Sequence, residues 1–432
     1  MKKSLLLSVV ASTMIMAGGD IAPVPAPVIV EEEVFPQWDF SGQAVLYYQT
    51  LDAYGAGSLF EQESSLANAG IQLNAVGKFD YGLSAGAQLS GLGTLGLEND
   101  VVSKTMQMPG IAEDGLTGAA ITNIWLGWAN DSTSFKYGRQ DLPKALSPFA
   151  WSEKWNVFQN SYEAALLVNT SISDTVLVGA WVKKANHNGV FLGSNLSAFD
   201  NVNENDGIWM ATVQNKSIAG LTLTGSWYYA ADMFADENGQ LNDLNILWGD
   251  ASYANADLPV TFGLQGGTVT SDIFLNDTTA FGAKVGGSFD NFTVTAAYSS
   301  VDDGDAGVFN VGGVKTPLYT QMILNQNFIK SDNDTFLIKA TMEALGGKFI
   351  AQYGATTMND RLMNEVTGHY GDRDYAEFDF IYKTKVWNDS ITLLAAYVNQ
   401  TQDEMIVTTE NGQDVLFEDS NNVIRFWARY NF

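Results

Sequence analysis

The chain has 432 residues, 49 Asp and Glu against 22 Lys and Arg, a formal net charge of -27 and no cysteine. That balance excludes a nucleic-acid partner, because nothing basic is concentrated enough to follow a phosphate backbone. The missing thiols exclude disulfides and thiolate metal sites.

"MKKSLLLSVVASTMIMAGGD" opens the chain with Lys2 and Lys3, an apolar run from Leu5 to Met16, and small residues. This is the pattern of a secretory signal peptide, expected over 1–19 with cleavage near Ala17–Gly19. The run is too short for a membrane helix, and no later stretch has the about 18 consecutive apolar residues that such a helix needs. Residues 20–37 hold four Pro and the triplet Glu31–Glu33, and read as an extended, polyproline-like spacer. From 38 to 432 the character is uniform, which predicts one domain.

That domain is built of alternating segments of roughly 8–11 residues. "WDFSGQAVLYYQT" sets Trp38, Phe40, Gly42, Ala44, Leu46 and Tyr48 on one face. Hairpins follow, with tight reversals expected at Phe79–Tyr81, Asn130–Ser132, Ser171–Asp174, Lys216–Gly220, Asn255–Pro259, Asp290–Asn291, Glu343–Gly346 and Trp387–Asp389. These turns carry Asp, Asn, Ser and Gly, which accept the required backbone angles. With one opening and one closing strand, the pattern predicts eighteen strands. Between hairpins the connections are expected to be long, at 51–70, 91–120, 141–161, 185–206, 231–243, 270–278, 302–333, 357–374 and 400–421. Short turns alternating with long loops, and an even strand count, point to an all-β transmembrane antiparallel barrel. A soluble secreted β-protein is the competing reading. Apolar stripes agree with lipid-facing walls: Val176, Val178, Ala180 and Val182; Phe281, Ala283, Val285, Gly287 and Phe289; Phe292, Val294, Ala296 and Tyr298; Phe349, Ala351 and Tyr353. Backbone in lipid must pair fully, so the sheet must close.

The chain ends on "NNVIRFWARYNF", with Phe426, Tyr430 and Phe432 on one parity and Arg425 and Arg429 on the other. With the signal peptide and strand count, this aromatic end resembles that of bacterial outer-membrane porins. "YGRQDLPKALSPFAWSEKWNVFQNSYEAALLVN" is similar to the third-loop region of the major porins of Campylobacter and its relatives. Those are akin to the substrate-specific, eighteen-stranded porins of pseudomonads. The Pro/Glu spacer is not part of the general porin pattern. The resemblance implies passive uptake of small solutes, a homotrimer, outer-membrane lipid around the barrel, and Phe426, Tyr430 and Phe432 as a signal for the barrel-assembly machinery.

A diffusion channel needs a constriction of defined electrostatic character. In porins of this type the third long loop folds into the lumen. Here that loop, 141–161, supplies Asp141, Lys144, Glu153 and Lys154, expected to face solute, among Phe149, Trp151, Trp155 and Phe158. The competing reading is an external loop with a small apolar cluster. The connection 302–333 is a second candidate cover for the mouth. Parity assigns Glu163, Lys339, Lys348, Glu377, Asp379, Lys383, Arg425 and Arg429 to the lumen wall, since a mid-bilayer charge is costly on the lipid side. Arg139 falls with Phe135 and Tyr137 by simple alternation, and a bulge would turn it inward, as the resemblance suggests.

No enzyme, cofactor or metal is expected. The two histidines, His187 and His369, sit in separate loops. The acidic runs at 200–207, 302–307 and 331–335 lack the spacing of a twelve-residue calcium loop, leaving at most weak divalent binding. Net acidity argues for a mild cation preference; the inward Lys and Arg argue the other way. The expected function is an outer-membrane channel for ions and small hydrophilic solutes. The alternative is a structural or adhesive barrel that binds a partner through its loops.

Overall fold

The computed structural model describes residues 36–52, 57–110, 117–188, 195–203, 206–235, 239–255, 258–363, 370–408 and 414–432. The expected signal peptide, nearly all of the spacer and His369 lie outside the described residues.

Eighteen strands form one antiparallel sheet. They are β1 (Gln37–Asp52), β2 (Ser65–Lys78), β3 (Leu83–Gly93), β4 (Gly118–Ala129), β5 (Thr133–Gln140), β6 (Tyr162–Asn169), β7 (Thr175–Ala185), β8 (Ile208–Asn215), β9 (Leu221–Ala235), β10 (Leu241–Ala254), β11 (Val260–Thr270), β12 (Thr278–Phe289), β13 (Phe292–Val301), β14 (Asn333–Ala344), β15 (Gly347–Met363), β16 (Tyr370–Val386), β17 (Ile391–Thr408) and β18 (Asp414–Asn431). Each pairs with its neighbours in chain order, and β18 pairs back onto β1 from Gln43↔Asn431 to Asp52↔Asn422. Gly42 and Phe432 exchange both backbone hydrogen bonds, at 2.8 and 3.0 Å. The sheet is therefore a closed barrel without free edges. A two-residue ladder, Asp200–Asn201, adds to the end of β7.

At one end the chain reverses within 79–82, 130–132, 170–174, 216–220, 255–259, 290–291, 345–346 and 387–390. At 345–346 both turn residues, Leu345 (φ 54°) and Gly346 (φ 72°), are left-handed, as a two-residue hairpin turn requires. The other end is less uniform than expected. Connections 53–64, 94–117, 141–161, 186–207 and 302–332 are long, whereas 236–240, 271–277, 364–369 and 409–413 are short. The expected loops 357–374 and 400–421 are mostly strand, because β15 to β18 run to 17 or 18 residues. A membrane-crossing strand needs only about 9–11 residues. Strands of this length exceed that span, and the Asp, Glu and Asn scattered through both segments read as loop in the sequence.

The outer surface is an apolar belt: Leu126, Tyr137, Leu247, Leu264, Phe281, Phe289, Tyr353, Phe380, Phe426, Tyr430 and Phe432 are all exposed. One expected lipid stripe lies on the other side. Val178, Ala180 and Val182 are buried in the largest core cluster, with Val176 packed against it, alongside Leu142, Leu146, Phe149 and Leu318. The reason is local. Segments 141–161 and 302–332 fold inside the barrel, and the wall they cover is apolar on its inner face.

Candidate functional site

Loop 3 (141–161) and loop 7 (302–332) meet inside the barrel around one carboxylate. Glu153 is 2% exposed. Its Oε1 accepts hydrogen bonds from Asn310 Nδ2 (2.8 Å), Val314 N (2.9 Å) and Lys315 N (2.8 Å). Its Oε2 accepts from Trp155 Nε1 (2.7 Å) and Asn188 Nδ2 (3.3 Å). A buried carboxylate is stable only when its lone pairs are filled in this way. Gly313 makes the approach possible, since a Cβ there would stand 2.2 Å from Glu153 Oε1. Asn310 extends the clasp: it accepts from Trp151 N (2.9 Å) and Tyr162 Oη (3.1 Å) and donates to Trp151 O (2.9 Å). Glu153, expected to face solute, instead binds the two loops to each other.

Loop 7 is fastened to the wall at an acidic pair. Glu377 and Asp379 are fully buried. Leu324 N donates to Glu377 Oε1 (2.9 Å), Tyr375 Oη to Oε2 (2.5 Å), and Gln352 Nε2 to Asp379 Oδ2 (2.5 Å). Lys315 Nζ donates to Met322 O (2.8 Å) and to Ile323 O. Burial pushes Lys315 down to about 8, with Glu377 and Glu153 pulling the other way.

The basic side chains are placed differently. Lys144 and Lys154 of loop 3 are exposed. Lys144 Nζ lies 4.7 Å from the Trp151 ring and donates to Thr316 O (3.3 Å). Enclosure by the barrel pushes Lys144 down to about 8, partly countered by Glu153. Burial raises Asp141, with Asn123 as its hydrogen-bond donor (3.2 Å) and Lys136 and Lys154 lowering it. On the inner wall, Lys339 is paired in register with Gln352, and Lys348 with Lys383 and Glu343. Lys348 reaches Glu343 at 3.5 Å. Lys383 and Arg429 lie 5.8 and 5.3 Å from the Trp427 ring. Arg429 donates to Val157 O (2.8 Å) and to Gln43. Arg425 is 6% exposed and forks onto Gln49 Oε1 (2.9 and 2.8 Å).

Arg139 and Glu163 are not on this wall. Register places Arg139 opposite Ile124 and Glu163, on the parity of Tyr137 and Phe135, which are exposed on the outer face. Tyr162 and Ala164, flanking Glu163, are buried inward. Arg139 and Glu163 form an outward ion pair (2.8 Å, both side chains 31% exposed), with Arg139 also 4.0 Å from the Phe199 ring. Gly138 takes a left-handed φ of 125°, yet the β4–β5 register runs through it without a shift, so no bulge turns Arg139 inward.

The inner surface holds further charged residues, of which alternation alone reveals Lys284. Lys284 of β12 lies 3.9 Å over the Tyr319 ring, whose hydroxyl donates to Asp250 of β10. Lys136 sits 4.2 Å from the Trp125 ring. One signal for loop 7 was present: "LYTQMILNQNFI" (318–329) is apolar for an external loop, with no charge. His187 is half-buried in 186–207, and burial lowers its pKa despite Asp200. Among the described residues no group of three metal-ligating side chains occurs.

A closed eighteen-stranded barrel with two loops folded into it defines the class: this is the fold of the outer-membrane porins. Solved structures similar to this chain include Pseudomonas aeruginosa OccK2 (OpdF) in complex with glucuronate, with a TM-score of 0.67 at 11% identity, covering 91% of this chain and 96% of that one. Pseudomonas aeruginosa OpdO gives 0.66 at 15% identity, covering 91% and 97%. Acinetobacter baumannii OccAB3 gives 0.66 at 13%, covering 91% and 99%. At these identities the likeness is one of fold. No protein-family model and no curated protein matches the chain.

Proposed function

We propose that this protein is an outer-membrane porin, a water-filled channel for passive diffusion of ions and small hydrophilic solutes, narrowed by loops 3 and 7. The observation that carries the reading is the sorting of charge inside the barrel. Glu153, Glu377 and Asp379 are buried in loop attachments, while Lys144 and Lys154 are exposed. Fixed charges that face water set the field a solute meets. Loop 3 thus sets two exposed ammonium groups against the one half-buried carboxylate of Asp141, and we infer a preference for small anions there. This inverts the expectation drawn from the net charge of -27. The glucuronate complex of OccK2 is in keeping with an anionic solute.

The same reading places the protein in the bacterial outer membrane after removal of residues 1–19, with the short turns on the periplasmic side. It takes Phe426, Tyr430 and Phe432 as the assembly signal, and a homotrimer as the working form. The finer likeness to Campylobacter-type porins rests on the loop 3 sequence. The test is planar-bilayer recording under a salt gradient. Stepwise conductance with anion-biased reversal potentials is expected, moving toward cations when Lys144 and Lys154 are neutralised. Purified, folded protein that never conducts would sink the channel reading and leave the adhesive barrel.

A further inference from the structure

The wall that β8 to β11 present to loops 3 and 7 is incompletely filled. A cavity of about 420 Å³ lies at its loop end, lined by Phe149, Tyr228, Phe234, Leu244, Ile246 and Phe274, among others. That volume is within the range of small-molecule sites, roughly 300–1,000 Å³. Its walls suit an aromatic ring. Phe234 and Phe274 pair at 5.5 Å, and Phe149 stands edge-on to Tyr228 at 5.5 Å. Phe309, which also lines the cavity, is 53% exposed.

Two polar features break the apolar lining. Tyr228 is 2% exposed; its hydroxyl accepts Phe149 N–H (3.2 Å), and its own hydrogen meets no acceptor among the described residues. A buried donor of this kind favours a ligand that supplies an oxygen. The other feature is Asp305, which also lines the space. Its Oδ2 accepts the N–H groups of Leu275 (2.5 Å) and Asn276 (3.3 Å), which fixes the carboxylate in place. The flanking segments 271–277 and 302–305 carry Asp272, Asp277, Asp302, Asp303 and Asp305 and no Lys or Arg. An apolar chamber with a fixed acidic border selects for an apolar body bearing a positive charge.

We propose that this cavity is a binding site for a protonated arylalkylamine with an oxygen on its ring. The ring lies among Phe149, Phe234 and Phe274, the ring oxygen takes the Tyr228 hydrogen, and the ammonium meets Asp305. The site goes beyond the channel reading, and its test does not depend on conduction. Isothermal titration of the full folded chain in detergent would use tyramine as probe. The controls are tyrosol (same ring, neutral), 4-hydroxyphenylacetate (same ring, anionic) and butylamine (cation without a ring). Tyramine is expected to bind tightest and 4-hydroxyphenylacetate weakest. Asp305→Asn should weaken tyramine about 3–10-fold and leave tyrosol unchanged, as loss of one partly screened charge does. Tyr228→Phe should cost both phenolic ligands about 3–10-fold, the worth of one buried hydrogen bond. Ala230→Trp, which fills the chamber, should abolish binding, with heat-modifiable migration reporting that the barrel still folds. Tyramine binding no better than butylamine or 4-hydroxyphenylacetate overturns the proposal, as does an Asp305→Asn variant of unchanged affinity.

Discussion

The two halves of the barrel wall handle their inner faces in opposite ways. From β6 to β12 the part of the inner face under the loops is largely apolar: Ala164, Val178, Val182, Met210, Tyr228, Ile246 and Val269 pack with loop 3 and loop 7, while Asp250 and Lys284 mark its polar remainder. From β14 through β18 and round to β1 it is polar, with Lys339, Lys348, Lys383 and Arg429 facing inward beside Gln43 and Gln352. The outer face carries an apolar belt all round, interrupted by the Arg139–Glu163 pair. The inside of a large barrel thus has no polarity of its own; each strand matches what covers it, protein or water. Even acids obey this rule, for Glu377 and Asp379 on the polar half are buried where loop 7 crosses them.

The sharpest way to break the contrast is to unfasten the loops. Glu153→Ala strands five hydrogen-bond donors in a buried site, and a loss of about 3–5 kcal/mol is expected, as for other broken buried charge clusters. Denaturant unfolding measures it, and an unchanged midpoint would show that Glu153 is not the clasp. Conductance should rise in the same variant as loop 7 loosens. Next in size is the double change Lys144→Gln with Lys154→Gln. Two charges facing water, each worth on the order of 1 kcal/mol to a nearby ion, should shift the anion-to-cation permeability ratio about 3–10-fold toward cations. Reversal potentials decide it.

A smaller effect follows from pH. Lys144 is pushed down to about 8, so its ammonium is present at pH 7 and largely lost at pH 9. Anion preference should fall over that interval, by less than in the double variant, and the fall should shrink in Lys144→Gln. A pH-independent ratio would show that Lys144 does not face the solute. Smallest of all is Arg139→Gln. The pair with Glu163 is outside and partly exposed, so stability should change by no more than about 1 kcal/mol and selectivity not at all. A selectivity change would return Arg139 to the lumen.

Much of the barrel was legible because period-2 alternation and turn chemistry are local. The reversals at 130–132, 290–291 and 387–390 coincide with Asn, Asp and Ser in the sequence. Less legible was everything that depends on cover. Val176 to Val182 reads as lipid-facing because apolar alternation is the same whether lipid or loop 3 lies opposite. Glu153 reads as a pore charge because its five donors come from positions up to 162 residues away, such as Lys315 N. The parity of Arg139 was correct as simple alternation; the inward alternative rested on resemblance. The expected loops 357–374 and 400–421 misled because Asp, Glu, Asn and Thr occur in paired strands as well as in loops.

The seam between β18 and β1 governs how the barrel closes. Gly42 and Phe432 hold each other through two backbone hydrogen bonds, and a Cβ on Gly42 would lie 2.6 Å from the Phe432 ring. The first strand's partner is therefore β18, the described strand farthest from it in sequence. Until β18 meets β1, both strands present bare edges, the most adhesive surfaces a β-protein has. Any side chain placed at 42 acts on the one joint that turns a sticky sheet into an inert cylinder.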